Sequence, residues 1–277
     1  MRKENLIDVL NKCYKDKRSL IAFNLQNLYH LEAIKQVTEK LKLPVIVQFS
    51  ARYVTQFEKR LGFDFMNKRY KNEYMYFHLD HCQDFELIKF CVDSDFDGVM
   101  YDGSASPIDE NIAFTKKVTE YAYKHNCIVE GELGEIGGVE DGVGTEGMAY
   151  ANLSEVKKYV DETSVDLLAL GIGNAHGFYT SLEHINTSIL LKAKEIIGEK
   201  QLFVLHGGSG LPTETINETI HNGVVKINFS TQIKQATNDG IQNYMNTGKL
   251  YNEVAFEKEI LAAVMPVFEE LIIKYTK

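Results

Sequence analysis

Eight short runs of apolar, largely β-branched residues recur along this chain, and longer segments with helical spacing separate them. The runs are SLIAFNL (19–25), PVIVQF (44–49), YMYFHLD (74–80), GVMYD (98–102), CIVEGEL (127–133), DLLALGI (166–172), LFVLHG (202–207) and VVKINF (224–229). Helical spacing falls at 31–41, 84–93, 109–125, 154–161, 182–197 and 214–222, and a long helix or helix pair runs from the eighth strand to Tyr275. Strands joined through helices pair in parallel, because a parallel neighbour can be reached only by a crossover. Several runs are apolar on both faces, as strands buried on both sides must be. Eight such units close into a barrel, and 277 residues suit a single barrel of roughly 250. The competing architecture, an open doubly wound sheet, usually carries a GxGxxG turn after its first strand, and AFNLQNLYH contains no glycine. The expected fold is therefore α/β, a (β/α)8 TIM barrel forming one domain over 1–277, with a C-terminal helical extension over about 232–277.

Charge narrows the partners. A formal net charge of −9 argues against nucleic acid and against an anionic membrane surface, both of which need a basic face. It leaves room for a small anionic substrate, because a few backbone N–H groups can hold a phosphate locally. The charged, amphipathic start MRKENLIDVLNKCYKDK lacks the apolar centre of a secretory signal, and no run reaches the ~18–20 apolar residues of a membrane span. Cys13, Cys82, Cys91 and Cys127 are scattered without a CxxC pair, so a reduced, cytoplasmic chain with free thiols is expected.

In a barrel the active face lies at the C-terminal ends of the strands. Most of the suggestive polar residues fall there: Asn24, Gln48, Ser50, Asp80, His81, Asp102, Glu130, Glu132, His176, His206, Asn228, Ser230 and Thr231. Of the eight histidines, His30, His125, His184 and His221 lie on or beside helices and read as solvated or capping residues. His78 lies mid-strand, two residues before Asp80, and reads as an interior-facing, hydrogen-bonded core histidine. His81, His176 and His206 end three different strands on one face, which is the donor set of an open catalytic zinc site. Imidazole also suits copper, iron and nickel. Asp80, directly before His81, reads equally well as a general acid/base or as a carboxylate that holds a ligand histidine. HGGSG (206–210) presents Gly207, Gly208 and Ser209 before a helix. With the Ser230 and Thr231 hydroxyls it reads as an anion cradle in the place where barrels often bind phosphate. AHGFY alone reads more simply as a chain reversal. The glycine-rich acidic loop over 131–147 suggests a mobile lid with Glu140 and Asp141 as candidates, and spacing does not rank them.

The segments PVIVQFS, HLDH (78–81), VMYDGS (99–104), EGELGEIGGVED (130–141), GNAHG (173–177), VLHGGSG (204–210) and VKINFST (225–231) together resemble the class II fructose-bisphosphate and tagatose-bisphosphate aldolase family. The match runs from about Ser19 to Gly240. The resemblance implies a zinc-dependent aldolase that reversibly cleaves a ketose phosphate or bisphosphate to dihydroxyacetone phosphate, or a related donor, and an aldehyde, with no lysine Schiff base. It implies that His81, His176 and His206 bind one catalytic Zn2+, and that Glu132 lies near an alternative metal position. Asp80 would handle the C4 hydroxyl proton, and Glu140 proton transfer on the donor carbon. Gly177, Gly207, Ser209, Asn228 and Thr231 match donor and phosphate contacts, and Ser50 a further one, while Asn24 at its strand end is read as another substrate contact. Gly177, Gly207 and Ser209 also match a monovalent-cation site for Na+ or K+. A homodimer or homotetramer is the family expectation.

The chain departs from the family at three points. HGFYTSLEH has Thr180 where a lysine commonly supports the donor phosphate, QFSARY introduces Arg52 in place of a glycine-rich turn, and NFSTQ replaces an acidic variant. A substrate other than fructose 1,6-bisphosphate is therefore expected. The rival readings are a catalytically altered barrel that binds a sugar phosphate and a zinc hydrolase on the same barrel. HGGSG with NFST disfavours the hydrolase, which needs no phosphate cradle.

Overall fold

The computed structural model describes residues 4–140, 143–145, 149–179 and 181–277, with the backbone alone at 60, 139, 140 and 143–145. The strands are β1 (Leu20–Asn24), β2 (Val45–Ser50), β3 (Met75–Cys82), β4 (Gly98–Tyr101), β5 (Ile128–Leu133), β6 (Gly138–Glu140), β7 (Val143–Thr145), β8 (Leu167–Leu170), β9 (Leu202–Leu205) and β10 (Val224–Phe229). Eight of them form a closed parallel barrel in the order β1-β10-β9-β8-β5-β4-β3-β2, and these are the eight strands expected from the alternating pattern. Helices cross between successive barrel strands, so the chain is a (β/α)8 TIM barrel. Side-chain oxygens cap several of these helices: Asn27, Asp84, Asn152 and Asn252 each accept from a backbone N–H of the first turn.

Two apolar layers follow from the period-2 alternation of the strands. Outward residues such as Ile21, Phe23, Val47, Phe49 and Phe77 pack under the helices. Inward residues Leu20, Ala22, Ile46, Tyr76, Ile128, Leu167, Leu202 and Val204 form a second cluster with Leu6, Val9, Leu10 and Cys13 of the helix Leu6–Asp16. That first helix lays its apolar face across the N-terminal end of the barrel. Further up the same strands the inward positions turn polar: Asn24, Gln48, His78, Asp80, Glu130, Glu132, Lys226 and Asn228 are all buried.

Several elements differ from the sequence reading. Between β2 and β3 the chain forms the helices Ala51–Arg60 and Phe63–Arg69, which bring Phe57 and Phe63 onto Phe49 with centroids 6.2 and 5.5 Å away. The segment read as helical from 182 becomes a helix only at Ser188–Ile197. Before it, Asn186 donates its backbone N–H to the Ile172 carbonyl, and its side chain accepts from the N–H and hydroxyl of Ser188. The glycine-rich loop after β5 contains a short antiparallel hairpin of β6 and β7, with Gly138 opposite Thr145. After β10 comes a pair of helices, Thr231–Asn246 and Glu253–Tyr275. The second covers β1, with Phe268 4.6 Å from Phe23 and a hydrogen bond from Ser19 N–H to the Tyr275 carbonyl.

Candidate active site

Strict alternation would send Asp80 and His81 to opposite faces of β3. The structure avoids this with an irregularity. The β3–β4 register shifts between Leu79 and Cys82, and His81 sits at φ 42°, in the left-handed region. A bulge of this kind re-aims one side chain. A non-glycine residue held there is strained by about 1–3 kcal/mol, a cost found where a site needs the geometry. Asp80 and His81 therefore both face the barrel mouth.

Three imidazoles converge beside them. One nitrogen each from His81, His176 and His206 can be chosen so that all lie within 4.8 Å of one another. His81 Nε2 and His206 Nδ1 face each other at 2.9 Å. A second group of donors, His81, Asp102 and Glu132, meets the same distance criterion. His81 Nδ1 is 2.8 Å from Asp102 Oδ2 and 3.9 Å from Glu132 Oε2. Glu132 Oε2 is buried and has no hydrogen-bond partner among the described residues.

The electrostatics favour positive charge at this point. Burial pushes His81 down, but Asp80, Asp102 and Glu132 outweigh it and hold the ring up at about 10. Burial opposes ionisation of Asp102, yet His81 and Ser104 hold that carboxyl below the usual range. Burial, with Asp102 nearby, pushes Glu132 well above it. Burial and the neighbouring His81 push His206 well below the ordinary imidazole value. Carboxylates crowded around facing imidazoles fit a cation, and the imidazole-rich donor set fits zinc.

Asp80 is held on both oxygens. Asn24 Nδ2 donates to Oδ2 at 2.8 Å and Asn228 Nδ2 approaches Oδ1 at 3.4 Å, while Gln48 Nε2 donates to Asn24 Oδ1 at 3.0 Å. Asn24 and Asn228, read from the sequence as substrate contacts, here orient the Asp80 carboxylate. The register that aligns Asn24 with Gln48 and Ser50 with Asp80 makes this line of side chains possible.

The cradle residues gather at the same mouth. Gly207 sits at φ 68°, and a Cβ there would lie 2.1 Å from the Ala175 carbonyl oxygen, so no side chain is tolerated. Gly208 N–H donates to the Asn228 carbonyl, and Ser209 Oγ accepts from Gln232 N–H at 3.3 Å. Ser50 and Ser230 each begin a helix without capping it, and their buried hydroxyls have no partner among the described residues. Thr231 opens the second of these helices. Helix N-termini with uncommitted hydroxyls are suited to oxyanions. Gly177, at φ 104°, faces open space.

Three loops are knitted together around His176. Asn174 Nδ2 donates to the His206 carbonyl at 3.0 Å. The Tyr179 hydroxyl accepts from Ala175 N–H at 3.1 Å and donates to the Gly207 carbonyl at 2.8 Å. His176 N–H donates to the Gly137 carbonyl at 2.8 Å, which ties the root of the β6–β7 hairpin to the histidine. The Glu140 backbone ends β6, but its side chain, like Asp141 and Thr180, lies outside the described residues. Arg52 is exposed on the first turn of the helix after Ser50.

The sequence reading did not assign roles to Glu130 and Lys226. Both are fully buried inside the barrel, directly below the histidines. Glu130 Oε1 is 2.8 Å from His206 Nε2, and Lys226 Nζ donates to Glu130 Oε2 at 2.8 Å. His78 Nε2 lies 3.3 Å from the same oxygen without hydrogen-bond alignment. Burial and Lys226 push His78 down to about 3, so it stays neutral. Parity was the available signal: His78, Glu130 and Lys226 each lie two residues before a mouth residue, Asp80, Glu132 and Asn228 respectively.

Comparison with known proteins agrees with this geometry. The family described as fructose-bisphosphate aldolase class-II matches residues 4–276. A fructose-bisphosphate aldolase of Staphylococcus aureus (strain Mu50) is 35% identical over 254 residues, covering 89% of this chain and 86% of that protein. One from Geobacillus stearothermophilus is 36% identical over 230 residues, covering 81% and 79%. Among solved structures, the YdjI aldolase from Escherichia coli K12 superposes with a TM-score of 0.82 at 23% identity, over 99% of this chain and 97% of that one. The fructose-bisphosphate aldolase from Campylobacter jejuni superposes with a TM-score of 0.81 at 18% identity, over 98% and 93%. At those identities the structures speak for the fold alone.

Proposed function

The chain belongs to the class-II fructose-bisphosphate aldolase family, and from that premise we propose how its own residues carry the reaction. It is a carbon–carbon lyase, a zinc-dependent aldolase that performs aldol cleavage of a ketose bisphosphate. The observation that carries the residue assignment is the convergence of His81, His176 and His206 from three strand ends beside Asp80. Those three histidines would hold the zinc, with Glu132 as a neighbouring donor. Zinc, when bound, supplies a Lewis acid beside the substrate carbonyl.

The other steps belong to side chains. Asp80 takes the C4 hydroxyl proton, its two oxygens aimed by Asn24 and Asn228. The C4 oxygen becomes the aldehyde, the C3–C4 bond breaks, and its electron pair passes toward the C2 carbonyl. Glu140, on the hairpin whose root is bonded to His176, returns a proton to C3. The donor phosphate sits against Gly177, Gly207, Gly208, Ser209, Ser230 and Thr231, and Ser50 meets a second anion at its own helix start. A monovalent cation, Na+ or K+, at Gly177, Gly207 and Ser209 belongs to the same proposal.

Assembly as a homodimer or homotetramer is supported by an exposed apolar group at the turn of the last two helices, Met245, Leu250, Tyr251 and Val254. Four free, buried cysteines support a reducing, cytoplasmic setting. Among the described residues, no helix is long and apolar enough to cross a membrane. Arg52 and the absence of a lysine at Thr180 support a substrate other than fructose 1,6-bisphosphate.

The test is an aldol-cleavage assay on a panel of ketose mono- and bisphosphates, with coupled detection of dihydroxyacetone phosphate and an EDTA control. EDTA-sensitive cleavage, with a preferred sugar other than fructose 1,6-bisphosphate, is expected. Cleavage of fructose 1,6-bisphosphate above all others would overturn the substrate proposal. No cleavage of any sugar by protein shown to hold zinc would overturn the mechanism.

A further inference from the structure

Below the mouth, the described residues include a buried ion pair, Glu130 with Lys226, that the mechanism above does not use. Apolar pairs of similar volume often replace buried ion pairs without loss of stability, so such a pair is weak evidence for a purely stabilising role. Its geometry gives another account. Lys226 occupies Glu130 Oε2, and the carboxylate presents Oε1 to His206 Nε2 at 2.8 Å. An ionised carboxylate only accepts hydrogen bonds, so Nε2 must carry the ring proton. The lone pair then lies on Nδ1, which is the nitrogen that faces His81 Nε2 at 2.9 Å.

We propose that Glu130 is a positioning residue that fixes His206 in the Nε2–H tautomer and aims Nδ1 at the metal position, with Lys226 as the tether that holds the carboxylate in place. This rests on the reading of His206 as a zinc ligand. A backbone bond secures the other end of the same residue: Asn174 Nδ2 holds the His206 carbonyl at 3.0 Å. His206 is thus gripped at its ring from β5 and at its backbone from the loop that carries His176. A hydrogen bond from the far ring nitrogen to a carboxylate sets both ring orientation and basicity in metal-binding histidines.

Zinc dissociation constants, measured by chelator competition, test this on the wild type, on Glu130→Leu/Lys226→Met and on Glu130→Gln/Lys226→Met. Both double variants remove the two charges together and keep the volume. The glutamine variant keeps an oxygen that can accept from Nε2–H. The leucine variant should lose roughly 10–100-fold in zinc affinity, and the glutamine variant should stay within a few-fold of wild type. A leucine variant that binds zinc like the wild type would overturn the proposal, as would a glutamine variant that loses as much as the leucine one. His206→Asn separates the premise from the inference, since unchanged zinc affinity there would remove His206 from the ligand set altogether. Should the leucine variant not fold, nitrogen-15 spectra of the zinc-free wild type decide the matter, with the His206 signals identified by their loss in His206→Asn. A ring protonated at Nε2 is expected, and one protonated at Nδ1 would overturn the proposal.

Discussion

The lower and upper halves of the barrel interior are built from the same strands with the same alternation, yet they hold opposite chemistry. Leu20, Ile46, Tyr76 and Ile128 fill the lower half and pack on the first helix. Two or four residues further along, Asn24, Gln48, His78 and Glu130 fill the upper half and are just as buried. The lower half needs only volume and apolarity. The upper half must satisfy every buried polar group, and most of its bonds run between strands: β1 to β3 through Asn24 and Asp80, β5 to β10 through Glu130 and Lys226. Among the described residues, Ser50 Oγ, Glu132 Oε2, Asn228 Oδ1 and Ser230 Oγ lack partners at the end where metal and substrate are proposed to bind, and Gln48 Oε1 and the His78 ring nitrogens lack them just below it. Burial thus specifies a stable layer at one end and a prepared site at the other.

That contrast can be broken most severely by removing a metal ligand. His81→Ala should abolish most aldol cleavage, a loss on the order of 10³-fold or more if the metal supplies about 4 kcal/mol or more to the transition state, and chelation of the wild type should do the same. Activity within tenfold of wild type, in a variant shown to lack zinc, would separate the mouth from the chemistry. Asp80→Asn keeps the shape and the zinc but removes the base, so kcat should fall by roughly 10²–10⁴-fold with zinc content unchanged; a change in KM alone would assign Asp80 to binding instead.

In the lower half the same kind of truncation should act on stability. Leu20→Ala should cost about 2–5 kcal/mol in urea unfolding, with activity per folded molecule intact. Lost activity at full folding would mean that the two halves are mechanically coupled. The smallest effect is expected at the seam between loops. Tyr179→Phe removes the hydroxyl that joins Ala175 to Gly207, at about 1 kcal/mol. It should raise KM for the phosphorylated substrate a few-fold, and a changed kcat with constant KM would contradict a role confined to the cradle.

Much of this was legible beforehand. The eight strands follow from local residue preference and period, and three histidines at three strand ends already mark one face. The glycines of HGGSG read as an anion cradle, and Gly207 there lies so close to the Ala175 carbonyl that no side chain fits. Other features were not readable from local pattern. The helix Ala51–Arg60 contains Arg52, Gln56, Glu58 and Lys59 among few apolar residues, and tertiary packing of Phe57 on Phe49 holds it in place. The stretch before Ser188 has helical composition, but Asn186 bonds back to Ile172 and ends that option.

The sequence by itself determined the architecture and the inventory at the mouth, because alternation, apolar burial and strand order are properties of neighbours in the chain. Only the tertiary structure decided what those residues do to one another. Whether Asp80 and His81 share a face depends on a register shift against β4. Whether Asn24 meets substrate or steadies Asp80 depends on the pairing of β1 with β2 and of β2 with β3. Whether Glu130 is filler or a hand on His206 depends on Lys226, 96 residues away. Hydrogen bonds act over about 3 Å whatever the separation along the chain, so which of these side chains meet was settled by closure of the barrel.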